Sequence, residues 1–452
     1  MQMEMEAGGF RSKRGRSVSP GKDEDGGGVD HISALPDAVL GEIITLLPTK
    51  DDARTRILAS RWRHLWRSAP LNLEGRSLIN HPDKRGKFAG VVSRILSSHQ
   101  GPGCRFCIPD GHGRSIYGAA TTMDAWLRSP ALDNLQELDV WYDRCHQVPA
   151  STFRFKATLH VLTIGGCDLS KSSTVQGLGF PVLKQLGIEC VIISESSIHS
   201  LIASCPVLEC LSITYTYGFS CLRINSHSIK KIHIYGCGTD EPEQTDPIEL
   251  KELIIESAPC LEILQDICND GLHASIVSAP KLETLGILNE HKRDGVDYST
   301  RLVFGSTVIQ GLRVDSLATV VRTVKDLSVC MMALNLDIVI ELMKCFPCLE
   351  KLSLQGWSTG EKNLWRRKHR KLIGCLDIRL KTIVISSYRG IWSEINFATF
   401  FVLNAKVLEF MIFQVGSTSE EFIAEQKKKL QFDNRASRVA QFRFTTGVAV
   451  EV

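Results

Sequence analysis

The spacing of hydrophobic residues changes along the chain, from a helical period near residue 40 to strand-like alternation further on. Between Pro36 and Leu47 the apolar residues recur at the spacing of one helix face. They are Val39, Leu40, Ile43, Ile44 and Leu47. Pro48 predicts the end of this helix, and two short helices are predicted after it, at about Asp52 to Ala59 and from Ser60 through Trp66. A module of roughly forty residues is near the lower limit for burying its own core, so we expect a partner to cover part of it.

The unit Pro-x-Leu-x-x-Leu-x-apolar recurs over residues 131–357. Its clearest copies are Phe180 to Ile188, Cys205 to Ile213, Ala279 to Ile287 and Phe346 to Leu354. Related units start at positions 135, 159, 183, 208, 229 and 250, and intervals of 21 to 25 residues are typical of leucine-rich repeats. Helical spacers such as Ser196 to Pro206 and Ala333 to Pro347 indicate the strand, turn and helix cycle of a horseshoe. The pattern therefore predicts an α/β solenoid.

Alternation within each predicted strand separates a core face from an outward, concave face. The core column is predicted at Leu186 and Ile188, Leu211 and Ile213, Leu285 and Ile287, and Leu352 and Leu354. The outward neighbours vary in chemistry, as expected of a surface that selects a client. The candidate client-binding residues are Gln185, Glu189, Ser212, Thr214, Thr284, Leu288, Lys351 and Gln355. For any one of them, a solvated sheet face is the alternative interpretation.

The stretch from Asp30 to Leu73 resembles an F-box. The residues that carry the resemblance are Leu35-Pro36, Leu40, Ile44, Leu47-Pro48, and Arg54, Leu58, Arg61, Trp62, Leu65 and Trp66. Ala59 stands where the family usually has serine. The resemblance implies docking on a Skp-class adaptor and, through it, a cullin-based (SCF) ubiquitin ligase. It assigns adaptor binding to Leu35, Pro36, Leu40, Ile44, Leu47, Pro48, Leu58, Trp62, Leu65 and Trp66.

The chain from Cys375 onward resembles the FBD segment of plant F-box proteins. The matching residues are Leu376 to Ile378, Leu380 to Val384, Tyr388-Arg389-Gly390, Phe400 to Met411 and Asn434 to Ser437. This segment is predicted to supply strands and helices that cap the open end of the repeats.

The resulting division has six parts. We expect a disordered tail (1–29), the F-box (30–73), a helical linker and start of the solenoid (74–130), leucine-rich repeats (131–357), a basic linker (358–374) and the FBD cap (375–452). Helices are predicted in the linker at Phe88 to Leu96 and at Thr122 to Leu127.

Composition restricts the function without defining it. The net charge is +3, too balanced to require nucleic acid, and the basic stretch Glu361 to Lys371 is typical of a solvated face. Fifteen scattered cysteines and no apolar signal-like start predict reduced thiols in the nucleus or the cytoplasm. The most apolar window, Ile395 to Val415, is interrupted by Lys406 and Glu409, so we expect no membrane span.

Motifs for phosphate binding or hydrolysis are absent from the sequence, which has no GxxxxGK[ST], GxGxxG, HExxH or GxSxG. Two Cys-x-x-Cys pairs occur, at Cys104 and Cys107 and at Cys345 and Cys348, but a structural zinc site needs four ligands and these pairs are far apart. We therefore expect no metal, no cofactor and no catalytic residues.

The sequence thus predicts a non-catalytic substrate-recognition subunit that binds the adaptor through the F-box and an unidentified client through the repeats. Two alternatives remain open at this point. One is a repeat-based interaction scaffold, in the nucleus or elsewhere, whose F-box has a non-degradative use. The other is an enzyme whose active site carries none of the familiar motifs.

Overall fold

The computed structural model describes residues 32, 34–47, 60–78, 88–108, 120–170, 177–236, 248–268, 271–289, 292–293, 296–297, 299–316, 320–358, 363, 378–416 and 419–446. Within these ranges the chain is α/β. The helices are α1 Asp37–Leu46, α2 Ser60–Ser68, α3 Gly75–Leu78, α4 Phe88–Ser98, α5 Ala120–Leu127, α6 Glu195–Ala203, α7 Leu336–Cys345, α8 Trp392–Asn404 and α9 Glu420–Lys429.

Twenty-two strands are present in the described ranges. They are β1 Leu71–Glu74, β2 Gly103–Ile108, β3 Glu137–Gln147, β4 Val161–Asp168, β5 Gln185–Glu189, β6 Cys210–Thr214, β7 Cys221–Asn225, β8 Lys231–Tyr235, β9 Glu252–Ser257, β10 Ile263–Cys268, β11 His273–Ile276, β12 Thr284–Asn289, β13 Lys292–Arg293, β14 Val296–Asp297, β15 Arg301–Phe304, β16 Thr307–Gln310, β17 Arg313–Ser316, β18 Asp326–Met331, β19 Lys351–Gly356, β20 Thr382–Ser386, β21 Phe410–Gln414 and β22 Gln441–Thr445.

One long parallel sheet organises the fold. Its 14 strands lie in chain order, β1-β2-β3-β4-β5-β6-β8-β10-β12-β18-β19-β20-β21-β22. Many neighbouring strands pair without a register shift; for example, Leu186 pairs with Leu211, and Leu352 pairs with Ile383. Parallel strands require a crossover segment between them, which is why the connections form a second layer.

The second layer is partly helical and partly β. The predicted spacer helices are confirmed as α6, capped by Ser194, and α7, capped by Asn335. In the middle repeats the spacers instead form a six-stranded sheet, β17-β16-β15-β11-β9-β7. The spacer from Leu288 to Thr300 contains the antiparallel hairpin β13–β14. The sequence named no helix in these middle spacers, where β-branched residues such as Ile254, Ile255 and Val303 favour strands.

The alternating pattern places the core where the sequence predicted it, with one exception. Leu186, Ile188, Leu211, Ile213, Leu285, Leu352 and Leu354 are all buried, whereas the side chain of Ile287, also predicted in this column, lies outside the described residues. The prediction that Leu288 faces a client is wrong, because this residue is 0% exposed. Strand β12 contains a bulge, in which the two residues between Leu285 and Leu288 lie opposite the single Ser328 of β18. Because of this extra residue, Leu288 pairs with the buried Val329 and its side chain turns inward. Asn289, half-buried, takes the outward position beside Cys330.

The helices predicted outside the repeats are also present. Helices α1 and α2 correspond to the first and third predicted helices of the F-box stretch, whereas the predicted second helix lies outside the described residues. Helices α4 and α5 correspond to the two in the linker. None of the helices described here is both long and apolar enough to cross a membrane.

The C-terminal segment continues the long sheet. Strand β20 pairs with β19, and β21 and β22 follow in parallel, with α8 and α9 as their crossovers. Stacked aromatic rings join these elements, including Phe413 on Phe444 at 4.9 Å and Phe432 on Phe442 at 3.8 Å. The repeats and the FBD-like segment therefore share one sheet.

Candidate functional site

The F-box-like helices enclose a small hydrophobic cluster of their own. Its buried members are Leu40, Ile44, Trp62, Leu65, Trp66 and Ala69, with Leu35 packed against them. The sequence assigned adaptor contacts to five of these buried residues: Leu40, Ile44, Trp62, Leu65 and Trp66. In this structure they stabilise the module from inside, so we correct that assignment. The predicted contacts Pro48 and Leu58 lie outside the described residues.

A line of apolar side chains is exposed on the other side of α1. Ile32 is 58% exposed, Val39 39% and Ile43 36%, and Pro36 is exposed between them. Val39 and Ile43 lie four residues apart on one face of α1, and Ile32 and Pro36 precede the helix. We call Ile32, Pro36, Val39 and Ile43 the docking stripe. Sequence reasoning placed Val39 and Ile43 on the helix but did not separate them from Leu40 and Ile44.

An ion pair holds the chain that leads into the docking stripe. The Arg61 guanidinium on α2 reaches the Asp37 carboxylate at 2.5 Å and donates to the Leu35 carbonyl at 2.7 Å. Both charged side chains are largely exposed, so the pair contributes little to stability. Its effect is positional, because it fixes Leu35 and Pro36 at the start of α1.

Direct contacts join the F-box-like helices to the first strands of the long sheet. The Asn72 amide donates to the Thr45 carbonyl at 2.5 Å, and the backbone amides of Gln100 and Gly101 donate to the Arg67 carbonyl at 2.9 and 2.8 Å. A Cβ atom at Gly101 would collide with the Ala69 carbonyl oxygen, so only glycine allows this approach. These contacts fix the docking stripe relative to the repeats.

The buried His99 lies at this junction between the F-box-like helices and the long sheet. Its Nε2 lies 2.9 Å from the Ala69 carbonyl oxygen, and its ring meets that of Trp66 edge-on at 5.5 Å. Its Nδ1 is buried without a hydrogen-bond partner in the described part of the chain. Burial lowers the pKa of His99, although the Ala69 carbonyl acts in the opposite direction.

The junction is therefore expected to lose stability as pH falls below about 6.5, the usual histidine pKa. Below that pH the unfolded chain binds a proton that the folded His99 does not, so the stabilisation present at higher pH decreases. Amide hydrogen exchange of α2 and α4 at pH 5.5 and 7.5 measures this effect. His99→Gln, which keeps a donor without titrating, should reduce the difference between the two pH values. An equal difference in the variant and the native chain would contradict the role given to His99.

The predicted client residues other than Leu288 lie on the outward face of the long sheet. Gln185 is exposed, and Glu189, Ser212, Thr214, Thr284, Lys351 and Gln355 are half-buried. Part of this surface is paired internally, since Lys351 Nζ lies 3.1 Å from Asp326 on the neighbouring strand. The structure brings Glu189 and Thr214 together as register partners. Client binding by these residues stays a prediction.

The Tyr388-Arg389-Gly390 motif joins the C-terminal segment to the last repeat. Arg389 donates from Nε and Nη2 to Glu394 at 3.0 and 2.9 Å, and from Nη2 to the Ser358 carbonyl at 2.8 Å. The backbone amides of Arg389 and Gly390 donate to the other oxygen of the buried Glu394. Tyr388 is buried and donates its hydroxyl to Gln426 at 2.9 Å.

The cysteine pairs take part in ordinary packing. Cys107 donates to the Asp139 carboxylate at 3.2 Å, and burial and that carboxylate raise its pKa. Burial raises the pKa of Cys345 to about 11. Within the described residues no group of three or more histidine, cysteine or acidic side chains is arranged to hold a metal ion.

Comparison with known proteins matches three regions of the chain to protein families. A model described as the leucine-rich repeats of FBD-associated F-box protein At5g56370 matches residues 123–354, about half of the chain. An F-box domain model matches residues 32–74, and an FBD model matches residues 368–413.

Similar curated proteins come from Arabidopsis thaliana. F-box/FBD/LRR-repeat protein At1g13570 is 26% identical over 51% of this chain and 52% of its own length. FBD-associated F-box protein At5g56370 is 32% identical over 41% of this chain and 44% of its own length, so the chain spans about half the length of these two relatives. The putative FBD-associated F-box protein At5g22720 is 25% identical over 93% of this chain and 95% of its own length. With its F-box, leucine-rich-repeat and FBD regions all matched, this chain belongs to the plant F-box/FBD/LRR-repeat protein family.

Proposed function

We propose that this protein is the substrate-recognition subunit of an SCF-type ubiquitin ligase. Its F-box would bind a Skp-class adaptor, which connects it to a cullin, and its repeats would hold the client. The docking stripe carries this proposal. The F-box helices complete their own core with Leu40, Ile44 and Trp66, so the exposed Val39 and Ile43 are not needed for folding. An exposed apolar line on a short helix is typical of a helix that docks into a partner's groove.

Such a subunit would perform no chemistry itself. It would act by raising the effective concentration of the client near the ubiquitin-conjugating enzyme. A thioester carrier needs a cysteine with a low pKa. Burial instead raises the pKa of Cys205 and Cys345 to about 11 and that of Cys167 to about 12, so these three thiols do not suit a thioester carrier.

The array is proposed to be a solenoid closed by the FBD segment, with the domain limits given by the sequence. Support comes from the long sheet, whose 14 strands lie side by side in the order in which they occur along the chain. For the compartment we propose the nucleus, the cytoplasm or both, supported by the odd number and scatter of the cysteines.

The level of a client in plant cells separates this function from that of a non-degradative scaffold. Clients recovered with the native chain are expected to accumulate when a variant carrying Val39→Asp and Ile43→Asp replaces it, because the client remains bound but is no longer brought to the ligase. Quantitative mass spectrometry after blocking protein synthesis measures their half-lives. Client half-lives indifferent to the substitutions would favour the scaffold.

A further inference from the structure

In the long sheet, the edge formed by the amino ends of the strands and the edge formed by their carboxyl ends carry different types of side chain. Residues that immediately precede strands form lysine–glutamate pairs. These are Lys230 with Glu209 at 3.0 Å, Lys325 with Glu283 at 2.7 Å and Lys381 with Glu350 at 2.8 Å. Where the strands end, large apolar side chains are exposed instead, namely Tyr215, Tyr235, Met332 and Trp357. The carboxyl-end edge is therefore the better candidate for binding a partner, since tyrosine and tryptophan dominate interface hot spots.

The exposed tyrosines lie together at the ends of β6 and β8. The rings of Tyr215 and Tyr235 are 5.4 Å apart and nearly perpendicular, and the two side chains are 38% and 41% exposed. Parallel bridges join Asp168 to Ile192 and Ile192 to Tyr217, which forms a second row beside the first. We call Asp168, Glu189, Ile192, Tyr215, Tyr217 and Tyr235 the tyrosine edge.

The backbone of the tyrosine edge is fixed by hydrogen bonds between successive turns. The Tyr215 amide donates to the Tyr235 carbonyl at 2.9 Å, and the Ile193 amide donates to the Tyr217 carbonyl at 2.9 Å. The exposed side chains therefore project from a surface that is already ordered, which reduces the entropy lost on binding.

The backbone at Tyr215 adopts a conformation that favours glycine. Its φ is 48°. The residues at the equivalent register position are Gly166 in β4 at 64°, Cys190 after β5 at 52° and Gly236 after β8 at 60°. A bulky residue in this region is an outlier, and such strain is concentrated at functional sites. Because the turn accepts glycine in neighbouring repeats, the fold does not require an aromatic ring at position 215.

Carboxylates are the charged groups where these strands end. The segments 165–170, 189–194, 214–220 and 234–236 contain Asp168 and Glu189 and no lysine or arginine, and His233 lies on the same face of β8 two residues before Tyr235. Register places Glu189 beside Thr214, which in turn pairs with Tyr235. The tyrosine edge thus combines aromatic faces with carboxylates, a combination that suits a cation attached to an apolar chain.

We propose that the tyrosine edge binds a client segment in which an arginine or lysine is flanked by aliphatic side chains. The cation lies over the rings of Tyr215 and Tyr235 near Glu189, and the aliphatic neighbours cover Ile192 and Tyr217. This inference rests on the proposed function, in which the repeats hold a client, and it names the class of segment recognised.

Two short fluorescent peptides of glycine and serine test the proposal, one with a central Leu-Arg-Leu and the other with Leu-Glu-Leu. Anisotropy titrations use the full chain. The arginine peptide is expected to bind at least about tenfold more tightly than the glutamate peptide. Tyr215→Gly should weaken binding of the arginine peptide at least about tenfold while leaving the thermal midpoint unchanged or higher, because it relieves backbone strain.

Ser387→Gly is the matched control. Ser387 is exposed, follows β20 and has a φ of 55°, so the substitution relieves the same kind of strain away from the tyrosine edge. It should leave peptide affinity unchanged. Equal affinity for the two peptides, or an unchanged affinity in Tyr215→Gly, would overturn the proposal.

A parallel titration with the Skp-class adaptor distinguishes failure of the tyrosine edge from failure of the proposed function. A chain that binds the adaptor but does not discriminate the peptides refutes the tyrosine edge alone. A chain that discriminates the peptides but does not bind the adaptor supports the tyrosine edge as a binding site and refutes the proposed function.

Discussion

Replacing Val39 and Ile43 together by aspartate is expected to weaken binding of a Skp-class adaptor by at least about a hundredfold. Interface hot spots are worth about 2 kcal/mol or more each, which is roughly thirtyfold in affinity, and burying a new carboxylate adds a desolvation cost. Both residues are more than a third exposed and lie outside the buried cluster, so the module should still fold. Isothermal titration of the purified chain with the adaptor measures the loss.

Two controls separate docking from folding. Ala38→Asp places the same charge on an exposed position of α1 away from the docking stripe, and it should leave the affinity nearly unchanged. Leu40→Ala removes a fully buried side chain and should destabilise the module by about 2 to 5 kcal/mol, with affinity lost in proportion to unfolding. If Val39→Asp with Ile43→Asp binds as tightly as the native chain, the docking stripe is not the adaptor site.

Replacing Arg389 by alanine is expected to destabilise the joint between the last repeat and the FBD segment by about 2 to 4 kcal/mol. Removing one partner of a buried ion pair leaves an uncompensated charge, and Glu394 is 4% exposed. The partial exposure of Arg389 and the two backbone amides that still donate to Glu394 place the cost in the lower part of the usual range. Hydrogen exchange of α8 and β21 should increase, whereas that of β5 and β6 should not.

Lys381→Ala is the matched comparison for Arg389→Ala. Lys381 forms an exposed ion pair with Glu350, also between adjacent repeats. Its removal should leave exchange of α8 unchanged, since exposed pairs contribute little. Similar effects of the two substitutions would show that the Arg389 network does not hold the segment in place.

Sequence reasoning predicted the repeats well because their physics is local. Leucines two residues apart define an inward column, and the burial of Leu211 and Ile213 confirms it. The same reasoning was wrong at Leu288, because a bulge depends on how two strands fit together and leaves no mark in a single strand. The six-stranded sheet of the middle repeats was missed for a related reason. Its short strands are stabilised by pairing with the spacers of neighbouring repeats, which the sequence of one spacer does not show.

The F-box assignment shows a different limit. Hydrophobic periodicity placed Val39, Leu40, Ile43 and Ile44 on one helix but could not say which pair faces the protein's own core. Packing against Trp62 and Trp66 decides this, and those residues are about twenty positions away. The tyrosine edge was missed because only register brings Ile192, Tyr215 and Tyr235 together.

Affinity purification of the full chain from plant cells, beside the variant with Val39→Asp and Ile43→Asp, tests the central claim most directly. Mass spectrometry of the bound proteins is expected to find a Skp-class adaptor and a cullin with the native chain. Both should be lost from the variant while other partners persist. Absence of the adaptor from the native sample, or its equal recovery with the variant, would contradict the account.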